Sequence, residues 1–381
     1  MFRNLKRMGR WMAIAVVVGM FCSSAALAKK PDKPPGGGGG EDPPAVEVNP
    51  AIAFVTVERT RQDVVVASAD LSSEIVLTQT IQSKSKGVYT HLFGSPAWSA
   101  DGSMVAFWAH DWTDRDFPRM KLYVASADGA QLALVRDFRS RPSLHKPGGG
   151  SGDFGAGLNW SPTGLELLYE GYHALVAIDV LTGDIRVLLD GFYTDDPVGQ
   201  PALSPDLDDA AGYQGMVAMR GRDGSVDAYG TPQFDIFAAP IASDADGYLL
   251  PLDPASIVNL TDAPGTNEFH PSWSPDGSEI ACFHADGSDA WLAVINMATR
   301  LLLPIYPDYA TSGGGHDRAT WTSDGQDLIY RTDYSGIDRF DLTIIAADGT
   351  GFPEDYTNTQ TRREYAPAWN PAWDPAGPGG F

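Results

Sequence analysis

A six-bladed, all-β propeller is the fold this sequence predicts, and three observations predict it. The first is a hairpin that recurs along the chain. Its best copy runs from His270 to Phe283, with a strand into Trp273, a turn through Ser274-Pro275-Asp276-Gly277 and a return along Ile280 to Phe283. Proline presets φ for a turn, and glycine accepts the positive φ that strains other residues. The second is spacing: the anchor positions 98, 160, 203, 273, 321 and 369 lie 62, 43, 70, 48 and 48 residues apart. Units of that length with period-two hydrophobicity suit four-stranded blades. The third is that the two ends complement one another. Three strands at 52–78 lack a leading hairpin, and one leading strand at 365–369 lacks followers.

The elements come in order. Ile52 to Val57, Asp63 to Ser68 and Glu74 to Thr78 are β-branched runs bounded by polar breaks, which reads as three strands. The next unit, about 94–138, opens on Trp98-Ser-Ala-Asp-Gly102 and continues through Met104 to Trp108, Lys121 to Ser126 and Leu132 to Val135. The unit at 157–189 opens on Trp160-Ser-Pro-Thr-Gly164. The unit at about 200–260 has the degraded copy Leu203-Ser-Pro-Asp206 and insertions rich in Asp and Gly. Two more units run from 270 to 303 and from 318 to about 356, before Tyr365 to Trp369 supplies the last strand. Pairing that strand with the first three completes a sixth blade and closes the ring, removing free sheet edges. No sustained 3.6-residue period exists, which excludes helical solenoids.

The domain plan predicted is a signal peptide at 1–28, a flexible tether at 29–50, the propeller at 51–372 and a disordered tail at 373–381. Arg3, Lys6, Arg7 and Arg10 precede an apolar run from Trp11 to Phe21, and Ala26-Leu27-Ala28 offers a small-residue cleavage site. The expectation is a periplasmic or secreted chain with no transmembrane segment. The tether is Pro, Gly and charge, with nothing to bury. Formal charge is −22, and cleavage after Ala28 would move it to about −26 by removing four basic residues. So acidic a surface repels nucleic acid. Only Cys282 lies beyond the signal peptide, so no intramolecular disulfide is expected.

The pattern Pro-x-Trp-Ser-Pro-Asp-Gly-x-x-Ile-Ala-Phe, best in Pro271 to Phe283, with further copies at Pro96 to Phe107, Thr320 to Tyr330 and Asn159 to Tyr169, resembles the WD40-like repeat of the TolB propeller family. The resemblance covers residues 50–372. It implies a six-bladed propeller, and it says little of function because that repeat serves scaffolds, peptidase propellers and lyases alike. TolB carries an α/β domain ahead of its propeller, where this chain has a Pro/Gly tether. A Tol–Pal role is therefore not implied directly.

Segments leading into a blade's first strand usually reach one mouth of the channel. On that logic the candidate binding residues are His91, Asp153, Gln200, His270, His316, Asp317, Arg318 and Glu364. Histidines and carboxylates converging from several blades could hold a divalent metal; equally, polar residues suit a solvated pore mouth. Trp108, Trp112, Tyr172 and Tyr193 break the repeat and could form a carbohydrate or peptide platform. Asp206 to Asp209 and Asp244 to Gly247 lack the full ligand spacing of a calcium loop. The Asp-Gly pairs at 101, 276 and 324 occupy one turn position and are read as turn formers. The anchor tryptophans are read as inter-blade packing.

No Gly-x-Ser-x-Gly, phosphate loop or paired zinc motif is present. The reading is an exported, monomeric, non-catalytic scaffold without cofactor that engages a protein or peptide of the cell envelope at the channel mouth and rim. The alternative is a channel-site enzyme, a polysaccharide lyase or lactone hydrolase, using His91, His270 or His316 with a divalent metal.

Overall fold

The computed structural model describes residues 49–374, apart from 86–87, 90, 114–118, 139–156, 172–173, 191–198, 206–212, 223, 225, 227–232, 263–264, 287–288, 306–317, 333–340 and 360–361. The expected signal peptide, nearly all of the tether, most of the tail, and Asp153, His316 and Asp317 lie outside the described residues. The described residues belong to one compact unit.

Six four-stranded antiparallel sheets make a six-bladed propeller. Blade 1 contains β1 (Ile52–Glu58), β2 (Arg61–Ala67) and β3 (Glu74–Val76). A short hairpin of β4 (Lys84–Ser85) and β5 (Val88–Tyr89), not expected from the sequence, precedes blade 2. Blade 2 has β6 (His91–Trp98), β7 (Met104–Asp111), β8 (Arg119–Ser126) and β9 (Leu132–Phe138). Blade 3 has β10 (Asn159–Trp160), β11 (Glu166–Gly171), β12 (Ala174–Asp179) and β13 (Ile185–Asp190). Blade 4 has β14 (Gly199–Leu203), β15 (Gln214–Gly221), β16 (Asp235–Ala242) and β17 (Val258–Asn259). Blade 5 has β18 (Asn267–Trp273), β19 (Glu279–Asp286), β20 (Asp289–Asn296) and β21 (Leu302–Pro304). Blade 6 has β22 (Thr320–Trp321), β23 (Asp327–Thr332), β24 (Asp341–Ala346) and β25 (Glu354–Asp355). The last strand, β26 (Arg363–Trp369), pairs with β1 and completes blade 1, with Ile52 opposite Trp369. The ring closes as the two chain ends require.

The hairpin turn explains its own repetition. In blade 5, Ser274 Oγ donates to Asp276 Oδ1 at 2.7 Å, and the Ser278 and Glu279 amides donate to Asp276 Oδ1 and Ser274 Oγ at 3.0 and 2.9 Å. Gly277 sits at φ 69°, where a side chain would be strained. Blade 2 repeats this with Ser99 and Asp101, and blade 6 with Thr322 and Asp324. These aspartates hold turns, and the hydrogen bonds that Asp276 accepts from Ser278 and Ser274 hold its carboxyl below the ordinary value.

Each blade's middle strands bury both faces, so they read as continuous apolar runs, such as Val64 to Ala67, where strict alternation was expected. Six apolar clusters fill the joints between neighbouring blades. Ala106, Trp108 and Leu122 of blade 2 meet Leu167, Tyr169 and Val176 of blade 3. On the opposite face of blade 3, Leu168 and Leu175 meet Met219 and Phe237 of blade 4. The same alternation of faces continues around the ring to the joint of blades 1 and 2. Cys282 is fully buried in one such joint, and burial pushes its thiol up.

The anchor tryptophans do more than pack. Trp98 Nε1 donates to Ala368 O at 2.9 Å, Trp160 to Ala97 O at 3.0 Å, Trp273 to Ala202 O at 3.0 Å and Trp321 to Ser272 O at 2.9 Å. Each bond runs from one blade's first strand to that of the preceding blade. Trp369 differs: its backbone amide donates to Thr320 Oγ1 at 2.9 Å, and its indole N–H is buried without a partner among the described residues.

Both the indole bond and the ring closure can be probed. Trp273→Ala should lower unfolding free energy by about 3–5 kcal/mol, whereas Trp273→Phe, which keeps most packing and loses the N–H, should cost nearer 1–3 kcal/mol. Equal losses in urea denaturation would show that the hydrogen bond contributes nothing. Removing the chain after Arg363 deletes nearly all of β26 and should leave β1 an open edge that aggregates. A soluble truncation with a cooperative melt would show that closure is dispensable.

Candidate functional site

The six first strands surround a central cavity of about 510 Å³, lined from all six blades. Its wall is made of the anchor indoles, prolines such as Pro96, Pro275 and Pro367, and backbone. Indole-to-carbonyl bonds fix four of the five rings in place. The cavity is therefore largely pre-formed, as binding clefts usually are.

One irregularity recurs in the strands that wall it. In β6, β14, β18 and β26 the first strand gains an extra residue relative to its partner: Gly199 faces Arg220 while Ala202 faces Ala218, and Phe269 faces Phe283 while Ser272 faces Ala281. The same bulge lies between Gly94 and Ala97 and between Tyr365 and Ala368. Gln200, His270 and Ala366 at these bulges have φ of 55°, 54° and 52°, uncommon for residues with a Cβ. Each stands three residues before its anchor, as do Gly157, with φ of 90°, and Arg318. Five blades thus place an equivalent residue at one level of the ring.

Three of the expected residues stand at this shared offset, two of them in contact. Gln200 Oε1 accepts the His270 amide N–H at 2.7 Å, and Gln200 Nε2 stands 3.3 Å from His270 Nε2, which suits a neutral imidazole accepting from the amide. Arg318 reaches across from blade 6: Nη1 donates to Asn159 Oδ1 in blade 3 at 3.0 Å, and Nη2 donates to Pro201 O in blade 4. The guanidinium lies deep within the ring with part of its surface on the cavity, and that burial lowers it from 12.5 to about 10. It remains a cation at neutral pH.

The joint between blades 3 and 4 is where this chemistry gathers. Leu203 stands at the anchor position and has no indole to donate. Asn159 Nδ2 donates instead to Pro201 O and to Gly157 O, and Glu170 Oε2 accepts the Gln200 amide at 3.1 Å. Asn159 and Glu170 were not expected. Asn159 could have been found as the polar residue beside an anchor where other blades carry Ala, Ser or Thr.

The remaining candidates are placed elsewhere, and the assumption that all of them lie in lead-in segments is corrected. His91, Gln200, His270 and Glu364 lie within strands, because each bulge lets pairing continue past it. His91, Glu364 and Gln200 are not on the cavity wall; Gln200 is buried and bonded to His270, which is. His91 is buried 3.6 Å from Asp111, which accepts from Lys121 at 2.7 Å. Burial lowers the His91 imidazole against the opposing pull of Asp111. Glu364 is fully buried and accepts from Arg362 and Thr359 at 2.6 and 2.7 Å, and burial raises it. Trp108 is core, with its ring 5.2 Å from Tyr169. Trp112 is exposed beside His110, while Tyr172 and Tyr193 lie outside the described residues. Asp244 holds a turn by accepting from the Asp246 and Tyr248 amides. Among the described residues, no three His, Cys, Asp or Glu side chains group as a metal would need, and no helix is long and apolar enough to cross a membrane.

No family model matches the chain, and no curated protein matches it. Among solved structures, TolB from Acinetobacter baumannii is similar with a TM-score of 0.57 at 19% identity, over 84% of this chain and 66% of that one. Hydrazine synthase from Kuenenia stuttgartiensis is similar with a TM-score of 0.53 at 13% identity, over 85% of this chain and 47% of that one. The likeness is one of fold: a TolB-like six-bladed propeller. This chain spans just under two thirds of that TolB chain.

The His91 cluster has a testable acid response. Burial raises the Asp111 carboxyl, but hydrogen bonds from Lys121 and Thr113 outweigh it and hold the group at about 2. The unfolded chain therefore takes up that proton first. The contribution is present above the ordinary value of 3.8 and is lost as pH falls towards 2. Asp111→Asn should flatten the fall of urea stability between about pH 5 and pH 3. An unchanged slope would show that Asp111 titrates alike in both states.

Proposed function

We propose that the chain is an exported, non-catalytic scaffold that takes a protein or peptide partner at the mouth and rim of its central channel. The observation that carries this reading is the cavity itself. All six first strands wall it, the indole bonds hold that wall rigid, and its volume of about 510 Å³ suits a few residues of an inserted peptide. Rings and prolines offer apolar contact, and His270, Asn159 and Arg318 offer a few directed polar groups on the wall. Export rests on the N-terminal sequence pattern. A TolB-like fold is compatible with a binding role and does not by itself assign one.

The test compares the wild-type protein with Ser272→Trp, which puts an indole into the cavity, in pull-downs from envelope extract. Circular dichroism confirms that both are folded. The expected result is a partner retained by the wild type and lost by the variant. Recovery of the same proteins by both would remove the channel from the binding surface, and recovery of none would count against a scaffold. Elemental analysis belongs beside it. One equivalent of a transition metal, with a melting temperature lowered by EDTA, would favour a channel-site enzyme instead.

A further inference from the structure

The charges around the cavity run against those of the whole chain. Formal charge is −22, with 49 acidic residues against 27 basic ones. Yet among the described residues lining the cavity there is no aspartate and no glutamate, and Arg318 is the one permanent cation. An arginine so deep in a protein ordinarily has a carboxylate, because an unpaired buried charge is costly. Arg318 has none among the described residues. Its hydrogen bonds go to two neutral acceptors, Asn159 Oδ1 and Pro201 O. A guanidinium carries five N–H donors in a fork that matches a carboxylate. Those two acceptors orient the fork and leave donors on the cavity side unused.

We propose that the peptide taken into the channel presents a carboxylate to Arg318, from its C-terminus or from an Asp or Glu side chain. This rests on the peptide-binding reading above and adds the chemistry that recognises the peptide. The surrounding field is adverse: a strongly acidic exterior repels any anion until it is inside. Recognition is therefore short-range, made by charge-assisted hydrogen bonds in a site of low polarity, where they are strongest. Asn159 and Pro201 are positioning groups. They come from blades 3 and 4 and hold an arginine of blade 6, so the site exists only in the closed ring.

Affinity selection on the purified protein with three pools of random hexapeptides tests this. One pool has a free C-terminus and neutral side chains, one is amidated with a single glutamate, and one is amidated and neutral. Retention of either anionic pool roughly 10- to 100-fold above the neutral pool is expected. The pool retained identifies the source of the carboxylate. Arg318→Gln, which keeps a donor for Asn159 or Pro201, should abolish the preference. A second arm needs no variant: acetate should displace the retained pool from the wild-type protein, and acetamide at the same concentration should not. Equal retention of all pools, blocked by Ser272→Trp, would overturn the carboxylate and leave peptide binding standing. An anionic preference unchanged in a folded Arg318→Gln protein, or acetate no better than acetamide, would also overturn it. Retention of no pool would bring down the peptide reading itself.

Discussion

The bond from an anchor indole to the carbonyl of the preceding blade is the constraint on which the rest of this molecule depends. A propeller blade cannot bury its faces alone, and its neighbours must meet at a fixed angle and height. Apolar clusters supply the attraction at each joint, but such contacts have little direction. The indole N–H supplies the direction, fastening Trp98, Trp160, Trp273 and Trp321 each to a single backbone atom next door. The same bonds line the channel with rings that cannot turn aside. Ring closure and channel shape are therefore one property.

Two joints lack this bond: that of blades 6 and 1, where Trp369 donates through its backbone amide instead, and that of blades 3 and 4, which holds the polar site. With Leu203 in place of tryptophan, the backbone of blade 4 is met by Asn159, Glu170 and, across the channel, Arg318. Side chains with several donors and acceptors replace a single indole. A repeat protein is most uniform where it only needs to fold. Departures from the repeat mark places where something else is asked of the chain.

The bulges show how a small backbone change redirects chemistry. One extra residue in the first strand puts Gln200 and His270 in the left-handed region and shifts the residues after them relative to the partner strand. Such a conformation costs on the order of 1 kcal/mol or more, and the flanking ladder maintains it. It lets a strand stay paired while a polar residue reaches the same level in several blades. The resulting arrangement is pre-organised: His270 and Gln200 are bonded to each other, and Arg318 is held by neutral acceptors.

By itself the sequence determined the propeller: the hairpins, the blade count, the closing strand and the role of each Asp-Gly turn. These arise from short-range chemistry, because a turn, a strand and an anchor position are each written within about a dozen residues. The shared offset of Gln200, His270 and Arg318 from positions 203, 273 and 321 was also on view, although His91 and Glu364, at other offsets, stood beside them as equals. Only the tertiary structure decided which of these face the channel. Side-chain direction in a strand alternates with every residue, so one bulge reverses it, and where a bulge falls depends on the partner strand. The union of Arg318 with Asn159 and Pro201, more than 100 residues apart in the chain, required the ring to close. No local pattern encodes a contact made across a diameter.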